Sequence, residues 1–104
     1  MTLSLLLTTV AKKSDARRLA TVSLQHRSAA CIQIVPGIES HFIWNGKKRA
    51  CREFIVLAKT TTRKLRSLEI LWKKIHPYEC PELITLSGRA ATSYARWVQA
   101  SVSS

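Results

Sequence analysis

The apolar positions of the chain change their period several times, and each change marks an element. Residues 2–9, TLSLLLTT, are apolar and β-compatible nearly throughout, the pattern of a central strand. Ser14-Asp15 then offer an N-cap and a first-turn carboxylate. Ala16, Leu19, Ala20, Ser23 and Leu24 follow at helical spacing with Arg17, Arg18 and Gln25 on the other side, which predicts an amphipathic helix to about Arg27. Strand character resumes over 29–35, is interrupted by Pro36-Gly37, and continues over 38–44. The run Glu53–Thr60 is apolar at nearly every position, as in a strand buried on both faces. Thr61 or Thr62 can cap a second helix with Leu65, Leu68, Trp72 and Ile75 on one stripe. That helix must stop at His76, because Pro77 disfavours the α region in the residue before it. Residues 83–86 read as a short strand broken by Gly88. A last helix from about Ala91 puts Tyr94, Trp97, Val98 and Ser101 on one face.

Residues 36–60 dominate this layout. Asn45-Gly46 lies between two strand-like runs, and both residues tolerate the positive φ that a two-residue type I′ turn needs. Counting back from that turn sets Trp44 against Lys47 and Glu39 against Arg52, an opposite-charge cross-strand pair. Proline cannot donate to a ladder and glycine often marks a bulge, so the first arm bends at Pro36-Gly37. Each arm is about 14 residues, roughly 45 Å at about 3.3 Å per residue. A domain of about 100 residues has a radius of gyration of only about 13 Å. The hairpin is therefore too long to be covered by its own chain. The order β-α-β-β-α-β-α fits a ferredoxin-like α+β sandwich, a split βαβ βαββαβ unit with a long central hairpin and an added C-terminal helix, and residues 1–104 read as one domain.

Composition adds two facts. The chain has 17 Lys+Arg against 6 Asp+Glu, a formal charge of +11, which points to either a basic solvated surface or a nucleic-acid or other anionic partner. The basic residues are scattered, there is no polybasic arm, and the sheet lacks aromatic RNA-recognition strands, so nucleic acid ranks last among the partners considered. The three cysteines, Cys31, Cys51 and Cys80, are odd in number and form no C-x-x-C, the usage expected of free thiols in a reducing cytoplasm. The first eleven residues have no charged n-region and read as a strand, and no stretch reaches the about 20 apolar residues of a membrane helix.

The densest polar segment is His76-Pro77-Tyr78-Glu79-Cys80-Pro81-Glu82, which is either a turn stiffened by two prolines or a ligand site. Cys31 begins a strand and reads first as a small core residue, second as a ligand. Trp44 at the hairpin tip is an aromatic anchor for an oligomer or a stacking platform. Lys59 ends a strand, where it can meet an anion, pair with Glu82 or snorkel. No nucleophile elbow, P-loop, zincin or dinucleotide fingerprint is present, and nothing in the sequence activates Cys51, so an enzyme is not expected.

Several of these stretches together carry a resemblance. Ser28-Ala29-Ala30-Cys31, Ile34-Val35-Pro36-Gly37, Trp44-Asn45-Gly46, Leu57-Ala58-Lys59-Thr60 and His76-Pro77-Tyr78-Glu79-Cys80-Pro81-Glu82-Leu83, with Tyr94 and Trp97-Val98, resemble the CutA divalent-cation-tolerance family from about Leu3 to Val102. The resemblance implies a ferredoxin-like protein similar to the PII signalling trimers, a homotrimer whose hairpin reaches across to a neighbour. Glu39, Trp44 and Arg52 would then lie at the trimer interface. It implies metal tolerance, with copper or another divalent cation bound through Cys31 and His76. It also implies a ligand pocket between subunits near Trp44, Lys59, Tyr78 and Glu82. Thr8 stands where some members carry a cysteine, which removes one thiol from any such metal site. The alternatives kept open are a PII-like module responding to a small anion or nucleotide and, last, a nucleic-acid-binding domain.

Overall fold

The computed structural model describes residues 1–103. Its elements are β1 (Thr2–Val10), α1 (Lys13–Gln25), β2 (Cys31–Trp44), β3 (Lys47–Thr60), α2 (Thr62–Ile75), β4 (Ile84–Arg89) and α3 (Thr92–Val102). The four strands form one antiparallel sheet in the order β2-β3-β1-β4, the ferredoxin-like arrangement expected.

Alternation along β1 and β3 sorts the two faces. Leu6 and Val10 of β1 and Val56 and Ala58 of β3 are buried under α1 and α2 together with Leu19, Leu68 and Trp72. Trp72 is fully buried and donates its indole N–H to Ser23 Oγ at 2.7 Å, tying α2 to α1 without an orphaned polar atom. Truncating such a side chain costs on the order of 3–5 kcal/mol. The opposite face is covered only at one end, where Ala95 and Val98 of α3 pack on Leu3. Beyond α3 this face leaves Leu5, Leu7, Ile55 and Leu57 half-buried, and Ile84 and Leu86 exposed, in adjoining strands.

The hairpin register matches the sequence count, with Trp44 opposite Lys47 and Glu39 opposite Arg52. Asn45 and Gly46 have φ of 50° and 73°, the left-handed values a type I′ turn requires. The ladder shifts between Val35 and Ile38, where Pro36 and Gly37 together face Phe54 as a bulge, and Gly37 takes φ 66°. Both arms are 14 residues long, and the molecule is 45 Å in its longest dimension.

Four local expectations change. Ser14 does not cap α1: the helix starts two residues earlier, after Lys12, without a side-chain cap, and Asp15 lies in its first turn. Gly88 does not end β4, because it pairs with Leu3 and needs no unusual φ. The buried face of α3 is Ala95, Val98 and Val102, which leaves Tyr94 and Trp97 substantially exposed. In β3 the fully buried apolar residues, Val56 and Ala58, are on the helix side only. By contrast Thr61 caps α2 as expected, accepting from the Lys64 N–H.

Candidate functional site

The site forms where the chain leaves α2. Pro77 holds His76 extended (φ −66°, ψ 137°), so α2 ends there, with the His76 N–H still bonded to the Trp72 carbonyl at 2.9 Å. The imidazole, only 8% exposed, turns back over the end of β1. Its Nε2 lies 2.8 Å from Thr8 Oγ1 and 3.1 Å from the Thr9 carbonyl, and its Nδ1 is 3.1 Å from the Tyr78 backbone nitrogen. A backbone N–H can only donate, so Nδ1 accepts and the proton sits on Nε2. Thr8 accepts that proton and donates its own to the Glu82 carbonyl at 2.5 Å. One buried Thr–His pair thus fixes both ends of the segment from 76 to 82. Burial pushes the imidazole below its ordinary pKa against the opposing pull of the Thr9 carbonyl, so His76 is neutral at pH 7.

Two residues further on, Tyr78 reaches the other face of the sheet. Its hydroxyl donates to Glu53 Oε2 at 2.6 Å. Glu53 is only 7% exposed, on β3 one residue from the point facing the bulge. Burial raises its carboxyl pKa, but hydrogen bonds from Tyr78, Ser40, Thr9 and Cys51 outweigh that, and the net shift is downward. The Tyr78 hydroxyl bond thus helps hold Glu53 as an anion. Burial, then the Glu53 bond, pushes the Tyr78 phenol well above its ordinary value. Burial and Glu53 also raise the Cys51 thiol, so it is not a ready thiolate.

Around this pair opens a cleft of about 880 Å³ whose walls include Trp44, Phe42, Tyr78, Arg49, Glu53 and Glu82. The structure therefore brings together three of the four residues expected in a ligand pocket, Trp44, Tyr78 and Glu82. Lys59 is not with them. It sits six positions along β3 from Glu53, directly opposite Cys31, with Nζ 5.6 Å from the Tyr94 ring centre. No Lys59–Glu82 pair forms. The expected Glu39–Arg52 ion pair is also missing despite its correct register: the Glu39 carboxylate takes His41 Nε2 at 2.6 Å, the only ion pair among the described residues.

Copper or another divalent cation at Cys31 and His76 does not fit one chain. Cys31 is level with Leu5, on β2, while His76 is over Thr8 and Thr9 of β1, two strands away and both ring nitrogens engaged. Among the described residues no three His, Cys, Asp or Glu side chains gather as a metal centre. Glu53, Thr9 and Ser40 went unrecognised in the sequence. The available signal was an acid at the head of the apolar run of β3, one residue from the position facing the proline-glycine bulge.

A four-stranded ferredoxin-like sandwich with an extended hairpin, a C-terminal helix over one end of the sheet, and a proline-stiffened His-Tyr segment docked on β1 and β3 defines a narrow class. Comparison with known proteins identifies it. The family model described as CutA1 divalent ion tolerance protein matches residues 4–101. The chain is 35% identical to the divalent-cation tolerance protein CutA of Thermus thermophilus over 94 residues, covering 89% of this chain and 91% of that one. It is 31% identical to the protein CutA homolog of Danio rerio over 100 residues, 95% of this chain and 67% of that one. The crystal structure of CutA1 from Oryza sativa superposes with a TM-score of 0.91 at 33% identity, covering 97% and 94% of the two chains. CutA1 from Ehrlichia chaffeensis gives 0.94 at 28% identity, with 97% and 95% covered. The chain belongs to the CutA1 divalent ion tolerance family.

Proposed function

We propose that this chain acts without catalysis, in the cytoplasm, as a homotrimeric divalent-cation tolerance protein whose cleft beside Tyr78 binds a cation or small ligand at the boundary between subunits. The observation that carries the reading is the sheet face of Leu5, Leu7, Leu57, Ile84 and Leu86, contiguous, apolar and uncovered by the chain's own helices. Contiguous apolar patches of this kind on small proteins mark association surfaces. Trp44, 53% exposed beside exposed Ile43 and Phe42 at the hairpin tip, is an anchor suited to a neighbouring copy, with Glu39 and Arg52 further down the same arms. The three free thiols suit a reducing compartment, and no described helix is long and apolar enough to cross a membrane.

Glu53 is buried and already engaged by Tyr78, so it organises the cleft rather than binding directly. Trp44, Glu82 and the Tyr78 ring are the contacting groups, and Lys59 joins them only if a second copy supplies it. The test is calorimetric titration of the assembled protein with Cu²⁺ and other divalent cations. Binding that is weakened by Glu82→Gln and Trp44→Ala but retained in Cys31→Ala supports this site. Loss of binding in Cys31→Ala and His76→Ala, with Glu82→Gln unaffected, returns the cation to the Cys31–His76 pair and refutes it. A second reading, a PII-like response to a small anion or nucleotide, is favoured by Arg49, which lines the cleft and forms no ion pair. Titration with ATP and with phosphate alone, against Arg49→Ala, separates the two.

A further inference from the structure

We propose that the outer surface of the two-helix layer, α1 with α2, is a docking surface for the phosphate backbone of double-stranded nucleic acid. The basic residues are scattered in the sequence, but the fold gathers many of them on this layer. The two helices carry eight Lys or Arg and two acids, Asp15 and Glu69. Along α2, Arg63, Arg66, Lys73 and Lys74 are all exposed on the side away from buried Leu68 and Trp72, with Arg66 and Lys73 lining a groove that also holds Glu69 and Glu79. Lys13, Arg17 and Arg18 of α1, in the same layer, are exposed as well.

Folding accounts for only part of this charge: Lys73 and Lys74 lie in the last turn of α2, where the helix dipole favours cations. Among the described residues no Lys or Arg lies within ion-pair distance of a carboxylate. Arg63 and Lys64 stand in the first turn of α2, which holds no acid, and Lys13 opens α1, so these three oppose the helix dipole. The last turn of α1, where the dipole favours cations, has none.

The layer lies on the opposite side of the sheet from the open apolar face, so covering that face with other copies leaves it exposed. The proposal therefore does not depend on the trimer. The partner's chemistry follows from what the layer lacks. It presents no exposed aromatic side chain on which unpaired bases could stack, which disfavours single strands. Its exposed large apolar groups, Leu24 and Ile70, stand singly and make no face to insert into a bilayer. What remains is an array of unpaired cations complementary to a regular polyanion, without groups for reading bases.

The experiment is fluorescence anisotropy of the full chain with a random-sequence duplex DNA at 50 and 200 mM salt. About four phosphate contacts give a log–log salt slope of about −3.6, so the fourfold rise in salt should lower affinity about 150-fold. The triple variant Arg18→Glu/Arg63→Glu/Arg66→Glu should bind at least about tenfold more weakly with a shallower slope. Lys47→Glu/Lys48→Glu/Arg89→Glu, of equal charge change but away from the layer, should stay within about twofold. Circular dichroism checks that both variants fold, and the wild-type salt slope stands if either does not. Absence of duplex binding at 50 mM salt overturns the proposal. So does equal loss in the two variants, which would reduce the effect to net charge, or binding to phosphatidylserine vesicles in place of the duplex.

Discussion

Replacing Tyr78 with Phe removes one hydroxyl and leaves the ring, so it isolates the bond that holds the site segment to β3. The wild-type bond is 2.6 Å long and charge-assisted, to a carboxylate only 7% exposed. Hydrogen bonds to charged groups contribute about 1.5–3 kcal/mol, and a loss of about 2 kcal/mol is expected at pH 7. With an m-value of about 2 kcal/mol/M in urea, the unfolding midpoint should fall by about 1 M. The measurement is made at fixed protomer concentration, because assembly couples to stability. The loss should also depend on pH. Glu53 has a folded pKa below its unfolded one, so its stabilisation is complete above the unfolded value and disappears as pH falls through the folded one. The Tyr78→Phe difference should therefore shrink toward zero in strong acid. A double-mutant cycle with Glu53→Gln assigns the coupling to the pair. A change below about 0.3 kcal/mol at pH 7, or a loss unchanged down to acid where Glu53 is protonated, would refute the reasoning.

Other predictions follow the same logic. Thr8→Val removes the acceptor for His76 Nε2–H and the donor to the Glu82 carbonyl, and should cost about 1–3 kcal/mol in the same urea assay. The His76 pKa is depressed in the fold, so its contribution is complete above its ordinary value of 6.5 and should begin to erode below it; wild type, but not a His76→Gln variant, should show that limb in thermal melts. Gly37→Ala meets no atom within 4 Å but places a Cβ at φ 66°, so it should destabilise by about 1 kcal/mol through backbone strain alone. Thr61→Ala removes the α2 cap and should cost about 1 kcal/mol.

The elements were legible in the sequence because their signals are local. An Asn-Gly turn fixes its own register, a proline stops the helix before it, and a threonine caps the helix after it. Cross-strand counting placed Glu39 opposite Arg52 correctly, but not the side chain, because a closer histidine on the same strand face took the carboxylate. The site was less legible. His76 and Tyr78 were visible as a motif, but their partners Thr8, Thr9 and Glu53 lie about 70 and 25 positions away and become neighbours only through the β1–β3 pairing. The face of α3 was misassigned for a related reason. Tyr94 and Trp97 are its largest apolar residues, but small Ala95 and Val98 fit the close approach to Leu3.

The proposed trimer requires the open sheet face to be covered by other copies of the chain. Sedimentation equilibrium at micromolar concentration tests this most directly. Three chains of 11.7 kDa should sediment as one species of about 35 kDa, and Leu57→Lys/Leu86→Lys, which sets two charges into that face, should sediment as a folded single chain. A wild-type protein that sediments as one 11.7 kDa chain would contradict it.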